Sequence, residues 1–223
     1  MTTDTPTLPS YQDSLQDLLD QLEGMLPADK LAVFHRDATQ LGTRYPSPLK
    51  RGLGDRAPGF TLPNVAGREI RLADLLSQGP VVLTFYRGVW CPYCNLELKL
   101  YQQILPDIRE ASAQLVAVSP MTPDSSQQMK ESNDLAFEVL SDVGGKVAGQ
   151  YTTVFENPRS SVDAMAELGY DFFSFYADDT AALPVPATFV IARDGHIVYA
   201  GSAGGDYRQR VEPADILDAL RHI

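Results

Sequence analysis

Val81-Val82-Leu83-Thr84-Phe85-Tyr86-Arg87-Gly88-Val89-Trp90-Cys91-Pro92-Tyr93-Cys94-Asn95-Leu96-Glu97-Leu98-Lys99 is the stretch that decides the fold. Its first six residues form the kind of apolar run that is buried on both faces in a central parallel strand. Arg87-Gly88-Val89 turns the chain, and an amphipathic helix is predicted from about Pro92 onward. The only two cysteines of the 223 residues sit in that turn. A CxxC pair at a strand-to-helix junction puts the first sulfur beside unpaired N–H groups of the helix start, which favour the thiolate, the reactive form of cysteine. The second sulfur follows one helical turn later, close enough to close a small disulfide. The arrangement points to thiol redox chemistry.

Two other uses of a cysteine pair fit less well. Structural zinc takes four Cys or His ligands, and here there is no second cysteine pair, while His35, His196 and His222 are scattered. No metal or organic cofactor is therefore expected. A purely structural disulfide would close a very short loop, where the entropic gain is smallest, and would leave Trp90 and Pro92 unexplained.

Outward from this stretch, composition bounds the rest. A chain of 223 residues holds one good-sized core, or one domain plus an extension. With 18 basic and 29 acidic side chains the formal charge is −11, which argues against nucleic acid as a partner because phosphate binding needs a basic face. No segment reaches the ~18 consecutive apolar residues of a membrane span, and the start, Met1-Thr2-Thr3-Asp4-Thr5, lacks a charged-then-apolar signal pattern. No membrane association is expected, and a cytoplasmic location is. In that compartment a CxxC is a cycling pair rather than a permanent bridge.

Residues from about Tyr11 to Gly42 read as two helices. Leu15, Leu18, Leu19, Leu22 and Leu26 keep helical spacing, Pro27 breaks it, and Leu31, Phe34, Ala38 and Leu41 resume it. Such a stripe serves packing on its own domain or a homodimer contact, since the two share one periodicity. Breakers from Tyr45-Pro46-Ser47-Pro48 to Gly52-Leu53-Gly54 mark a boundary. Phe60 to Leu62 and Glu69 to Leu72 then flank a hairpin turn containing Asn64 and Gly67. The CxxC helix is expected to run toward Ile108 with a kink at Pro106. Leu115 to Ser119, a helix around Asp124 to Asn133, and Phe137 to Leu140 form a strand-helix-strand crossover. Ser141 to Ala182 is the least legible part. Helices are expected at Val147 to Tyr151 and Val162 to Leu168, and Phe172, Phe173, Phe175 and Tyr176 form an aromatic cluster that reads as core or as a substrate or dimer surface. Ala187 to Ala192 and His196 to Ala200 flank Arg193-Asp194-Gly195, a hairpin signal, and a last helix spans about Pro213 to Leu220.

The chain resembles the thioredoxin-fold superfamily and, within it, peroxiredoxin-like proteins related to alkyl hydroperoxide reductase and thiol-specific antioxidant. The resemblance is carried by Gly54-Asp55-Arg56-Ala57-Pro58-Gly59-Phe60-Thr61-Leu62, by Phe85 to Cys94, by Leu140-Ser141-Asp142, and by Phe189-Val190-Ile191 before Asp194-Gly195. It covers roughly Leu53 to Leu220. It implies an α/β thioredoxin-like domain over 51–223, with a central mixed β-sheet flanked by helices, behind an N-terminal helical extension over 1–50. It implies that Cys91 is the attacking cysteine and Cys94 the resolving one. Three positions depart from the family pattern. A Pro seven residues and a Thr or Ser three residues before the reactive cysteine are replaced by Thr84 and Gly88, and Pro186 stands where an Arg is expected. Those residues position the peroxide and stabilise charge as its O–O bond breaks, and Arg87, Arg208 and Arg210 are the candidates to replace them.

Pro186 points to a second branch. Val185-Pro186-Ala187-Thr188-Phe189 resembles the thioredoxin segment in which a cis-proline faces the CxxC and guides a substrate disulfide, and Cys-Pro-Tyr-Cys is the glutaredoxin quartet. A proline before a strand is also an ordinary strand-start device. Trp90, Tyr93, Arg87 and Pro186 are the expected substrate-binding residues. The function so implied is an antioxidant thiol oxidoreductase that reduces hydrogen peroxide or alkyl hydroperoxides and is recycled by an external thiol such as thioredoxin or glutathione. The alternatives are a thioredoxin- or glutaredoxin-like disulfide reductase and a non-enzymatic interaction protein on a redox fold.

Overall fold

The computed structural model describes residues 8–223, so the polar start, Met1 to Thr7, lies outside the described residues. Two helices come first, α1 (Tyr11–Met25) and α2 (Ala28–Arg44), separated at Leu26-Pro27 as the apolar spacing predicts. The Ser10 hydroxyl accepts from the Asp13 N–H at 3.2 Å and so occupies one of the donors that every helix start leaves unpaired. The strands β1 (Thr61–Pro63) and β2 (Glu69–Arg71) pair antiparallel and lead into α3 (Leu72–Gln78).

β3 (Val81–Phe85) is buried along its whole length. Behind it come α4 (Pro92–Gln103), α5 (Leu105–Glu110) and β4 (Gln114–Ser119), the last lying parallel to β3. The single helix expected from Pro92 to Ile108 is thus two. Pro106 has no N–H to give the Gln102 carbonyl, and the chain leaves helical geometry at Ile104 (φ −90°, ψ 3°), ahead of the proline rather than at it. The next crossover runs through α6 (Pro123–Ser132) to β5 (Glu138–Ser141), which is parallel to β4. The poorly legible segment then holds α7 (Ala148–Tyr151), β6 (Val154–Glu156), α8 (Arg159–Glu167) and a 3-10 turn at Phe172–Phe175. β7 (Ala182–Pro184) pairs back onto β6, β8 (Ala187–Ile191) and β9 (Ile197–Gly201) form the expected hairpin, and α9 (Pro213–Arg221) ends the fold.

The central sheet has the order β5-β4-β3-β8-β9, with β8 antiparallel to β3, which makes it the mixed sheet expected. Because side chains alternate along a strand, Val81, Leu83 and Phe85 enter one core layer, with Tyr151 and Phe189, while Val82 enters the other. That other layer contains both cysteines. It also contains Tyr11, Leu15, Ala38 and Leu41, so the apolar stripes of α1 and α2 pack on their own chain. Polar pins hold them there. The buried Asp37 carboxylate of α2 accepts from the hydroxyls of Ser160 and Ser161 on α8 at 2.6 and 2.8 Å. Glu212 accepts from the N–H groups of Tyr11 and Gln12, both at 2.8 Å. Among the described residues no helix is long and apolar enough to cross a membrane.

Candidate active site

Cys91 is the N-cap residue of α4, in extended conformation, and its side chain makes no capping bond. Pro92 fills the first helical position, where a missing N–H costs nothing. Both cysteines are free thiols and both are buried, Cys91 at 1% and Cys94 at 0% exposure. They differ in what they face. Cys91 lines a cavity of about 250 Å³ together with Arg87, Trp90 and Tyr93, whereas Cys94 points into the core.

Each sulfur has its own buried cation. The Arg87 guanidinium lies 4.0 Å from Cys91 Sγ through Nη1, donates through Nη2 to Asn157 Oδ1 at 2.9 Å, and stacks 3.8 Å from the Tyr207 ring centroid. On the far side, Arg210 Nη2 donates to Cys94 Sγ at 3.2 Å and Nε to Glu97 Oε2 at 2.9 Å. Arg208, the third candidate cation, turns away and pairs with Asp206 at 2.7 Å.

Burial alone pushes the Cys91 thiol up. A hydrogen bond from the Cys94 thiol outweighs it, together with the charges of Arg87 and Arg210, and Cys91 ends below the ordinary cysteine range. Cys94 moves the other way: burial raises it, and the bond it gives to the Cys91 thiolate raises it further. The reduced pair is therefore one thiolate and one thiol, which suits attack by Cys91 and resolution by Cys94. Removing the nearer charge tests this. In Arg87→Met the midpoint of the pH profile for Cys91 alkylation rises by roughly one pH unit or more, because an adjacent opposite charge shifts an acid by about that much. An unmoved midpoint would show that the Cys94 hydrogen bond and the Arg210 charge hold the thiolate without Arg87.

The departures from the family pattern have physical replacements. A Cβ at Gly88 would come within 2.5 Å of Trp90 Nε1 and 2.9 Å of the Tyr176 hydroxyl, so no Thr or Ser fits there. The space is taken by the Trp90 indole N–H, which donates to the Tyr176 hydroxyl at 2.8 Å, and by that hydroxyl, which donates to the Arg87 carbonyl at 2.9 Å. The aromatic cluster of the poorly legible segment thus braces the CxxC turn, with Phe172 packed against Trp90 at 5.3 Å between centroids. Thr84 instead faces the core, sharing a hydrogen bond with Thr188 at 2.9 Å beneath Glu97.

The expected role of Pro186 is corrected. No peptide bond among the described residues is cis. The backbone before it is also occupied: the Val185 N–H donates to the Thr153 carbonyl at 2.8 Å, and the Val185 carbonyl accepts from the Thr152 hydroxyl at 3.1 Å. The Val185 N–H is therefore not free to pair with a substrate strand. Pro186 is buried at the start of β8 and is a strand-start residue.

Sequence reasoning missed Asn157, Tyr207 and Glu97, and also the apolar cavity wall that the N-terminal helices supply through Leu22, Leu26 and Phe34. Only Glu97 carried a readable signal, its spacing of three from Cys94 on one helix face. Among the described residues no three His, Cys, Asp or Glu side chains cluster as a metal site would require.

Comparison with known proteins places this site. Thiol-disulfide oxidoreductase ResA of Bacillus cereus is 26% identical over 150 residues, which are 67% of this chain and 69% of that protein. A Mycobacterium tuberculosis protein named as a peroxiredoxin is 27% identical over 147 residues, 66% of this chain and 82% of its own. The crystal structure of peroxidoxin BcpB from Mycobacterium tuberculosis superposes with a TM-score of 0.60 at 26% identity, covering 77% of this chain and 97% of that one. The AhpC/TSA family model matches residues 53–200, from ahead of β1 into β9. The dithiol at the start of α4, the thioredoxin-like sheet behind it and this matched span agree, and the chain belongs to the AhpC/TSA family, as a thiol-based oxidoreductase.

Proposed function

We propose that the reaction is reduction of a hydroperoxide by Cys91. The observation that carries the choice of oxidant is the burial of Cys91 at 1% exposure on the wall of a cavity roofed by α1 and α2. A disulfide held in a folded protein cannot bring its sulfur to that depth without displacing the roof, whereas a small oxidant enters through the cavity. The Cys91 thiolate attacks the terminal peroxide oxygen, the O–O bond breaks, and the departing alkoxide takes up a proton to leave as the alcohol. Cys91 is then a sulfenic acid. Cys94 attacks its sulfur, a disulfide forms and water leaves. Two electrons from an external thiol reopen the disulfide, and in a reducing cytoplasm glutathione or thioredoxin would supply them. Thioredoxin would reach Cys91 only with the roof of α1 and α2 moved aside.

The disulfide-reductase alternative loses its main support with the trans bond at Pro186 and the occupied Val185 backbone. With dithiothreitol as reductant, the protein consumes an alkyl hydroperoxide catalytically and leaves insulin disulfides at the rate of dithiothreitol alone. Accelerated insulin reduction without peroxide loss would reverse the choice.

A further inference from the structure

The two buried guanidiniums stand on different sulfurs. Arg87 lies beside Cys91 on the cavity wall, whereas Arg210 donates through Nη2 to Cys94 Sγ at 3.2 Å, on the side away from the cavity. Arg210 is fixed by all three of its nitrogens. Nε donates to Glu97 Oε2 at 2.9 Å, Nη1 donates to the carbonyls of Tyr207 and Gln209, and the residue is 7% exposed. The Arg87 backbone N–H donates to Cys94 Sγ as well, at 3.5 Å. Cys94 thus has two fixed N–H donors, although the negative charge of the reduced pair is on Cys91. A neutral thiol sulfur is a weak acceptor. A buried cation aimed at one gains little, and its full value is reached only when that sulfur becomes negative.

Resting on the peroxide reading above, we propose that Arg210 is a catalytic residue for the second half of the reaction, the attack of Cys94 on the Cys91 sulfenic acid. Arg87 serves the first half. Oxidation of Cys91 itself prepares the second. While Cys91 is a thiolate, its charge and the hydrogen bond it accepts keep the proton on Cys94. Once Cys91 carries oxygen that charge is gone, and Arg210 and the Arg87 backbone N–H are left to oppose burial. The Cys94 proton then passes to the sulfenic oxygen and the Cys94 sulfur attacks the Cys91 sulfur. The S–S bond forms, the S–O bond breaks and the oxygen leaves as water, so that Cys94 is oxidised and the sulfenic sulfur reduced. Negative charge develops on Cys94 beside a donor that Glu97 and two carbonyls already hold in place, so the site does not reorganise to meet it. Arg210 is therefore no substitute for the peroxide-positioning residues that Thr84, Gly88 and Pro186 replace. It faces the sulfur that lies off the cavity.

Single-turnover kinetics separates the two halves. Reduced full-length protein is mixed with cumene hydroperoxide or hydrogen peroxide, and the fluorescence of Trp90, the single tryptophan, is followed. A first phase scales with peroxide concentration and a second does not, and the masses of quenched samples assign them to oxygen addition and to disulfide formation. The comparison is made at about pH 8, where Cys91 is ionised with or without Arg210 because it starts below the ordinary cysteine range. Arg210→Gln slows the second phase by about a hundredfold, the usual effect of losing one such donor, and the first phase far less. Its sulfenic acid persists, is captured by dimedone and, under excess peroxide, goes on to sulfinic acid. Arg210→Lys keeps the charge and a partner for Glu97, and recovers about tenfold of the loss. Arg87→Met gives the reverse pattern, with the first phase slowed more than the second. A merely structural Arg210 would slow both phases together. A second phase unchanged in Arg210→Gln, or as slow in Arg210→Lys as in Arg210→Gln, would overturn the proposal while the first phase still upheld the peroxide reading. A loss in Glu97→Gln as large as in Arg210→Gln would overturn it too, by moving the role to the carboxylate as proton acceptor. No first phase with either peroxide would overturn the peroxide reading and this step with it.

Discussion

Cys91→Ser reduces peroxide turnover to the uncatalysed background, while Cys94→Ser reacts once and stops. The asymmetry follows from where the two sulfurs stand. Cys91 is on the cavity wall, with the Arg87 guanidinium 4.0 Å away and a thiol behind it that donates a hydrogen bond, so its thiolate is present near neutral pH. A serine hydroxyl at the same place stays protonated and offers no nucleophile. Cys94 is fully buried, raised above the ordinary range and away from the cavity, so it cannot take over the attack. When Cys94 is serine, Cys91 is still oxidised but nothing condenses with the sulfenic acid. Mass spectrometry after one equivalent of hydroperoxide then shows one added oxygen on Cys94→Ser and a disulfide on the wild type. Stoichiometric oxidation of Cys91→Ser at position 94 would reverse the assigned roles.

Much of this machinery could be read from the sequence because it is local. The apolar run of β3, the Gly88 turn, the Trp90 to Cys94 stretch and the amphipathic α4 follow one another without interruption, and spacing alone carries them. The leucine stripes of α1 and α2 were equally plain. What they pack against was not, because periodicity records a buried face and says nothing of its partner. The cavity is the extreme case. Arg87, Asn157 and Tyr207 meet on one wall although long stretches of chain separate them, and a stacked guanidinium or an amide with a free N–H leaves no local pattern. Around Asn157 the sequence offered only Asn157-Pro158, an ordinary turn signal. Pro186 shows the opposite error. A short match at a strand start invited a cis-proline role, and the paired backbone of Val185 excludes it. Local resemblance could not reveal that Thr152 and Thr153 had already taken those bonds.

A pH effect on stability belongs to Glu97, a carboxyl at 1% exposure that pairs with Arg210 at 2.9 Å directly behind Cys94. Burial drives its pKa up to about 7, and the charge and hydrogen bond of Arg210 only partly oppose this. In the unfolded chain the same group titrates near ~4.3. Between these values the native state binds more protons than the unfolded state, so unfolding free energy falls as pH rises through the window. The contribution is fully present below ~4.3 and is lost by the time the pH has passed about 7, a change of roughly 4 kcal/mol. Glu97→Gln keeps an acceptor for Arg210 but cannot ionise. Its urea-unfolding free energy, measured from about pH 4 to pH 8, therefore lacks this slope, and the stability difference moves in favour of the variant by roughly 4 kcal/mol across the range. Arg210 has no such escape, since a guanidinium does not give up its proton in a protein. Arg210→Met accordingly leaves Glu97 to cope by staying protonated, and the end of the slope moves to still higher pH. Parallel curves for the wild type and Glu97→Gln would mean that the pair stays ionised throughout, with Arg210 compensating the buried carboxylate in full.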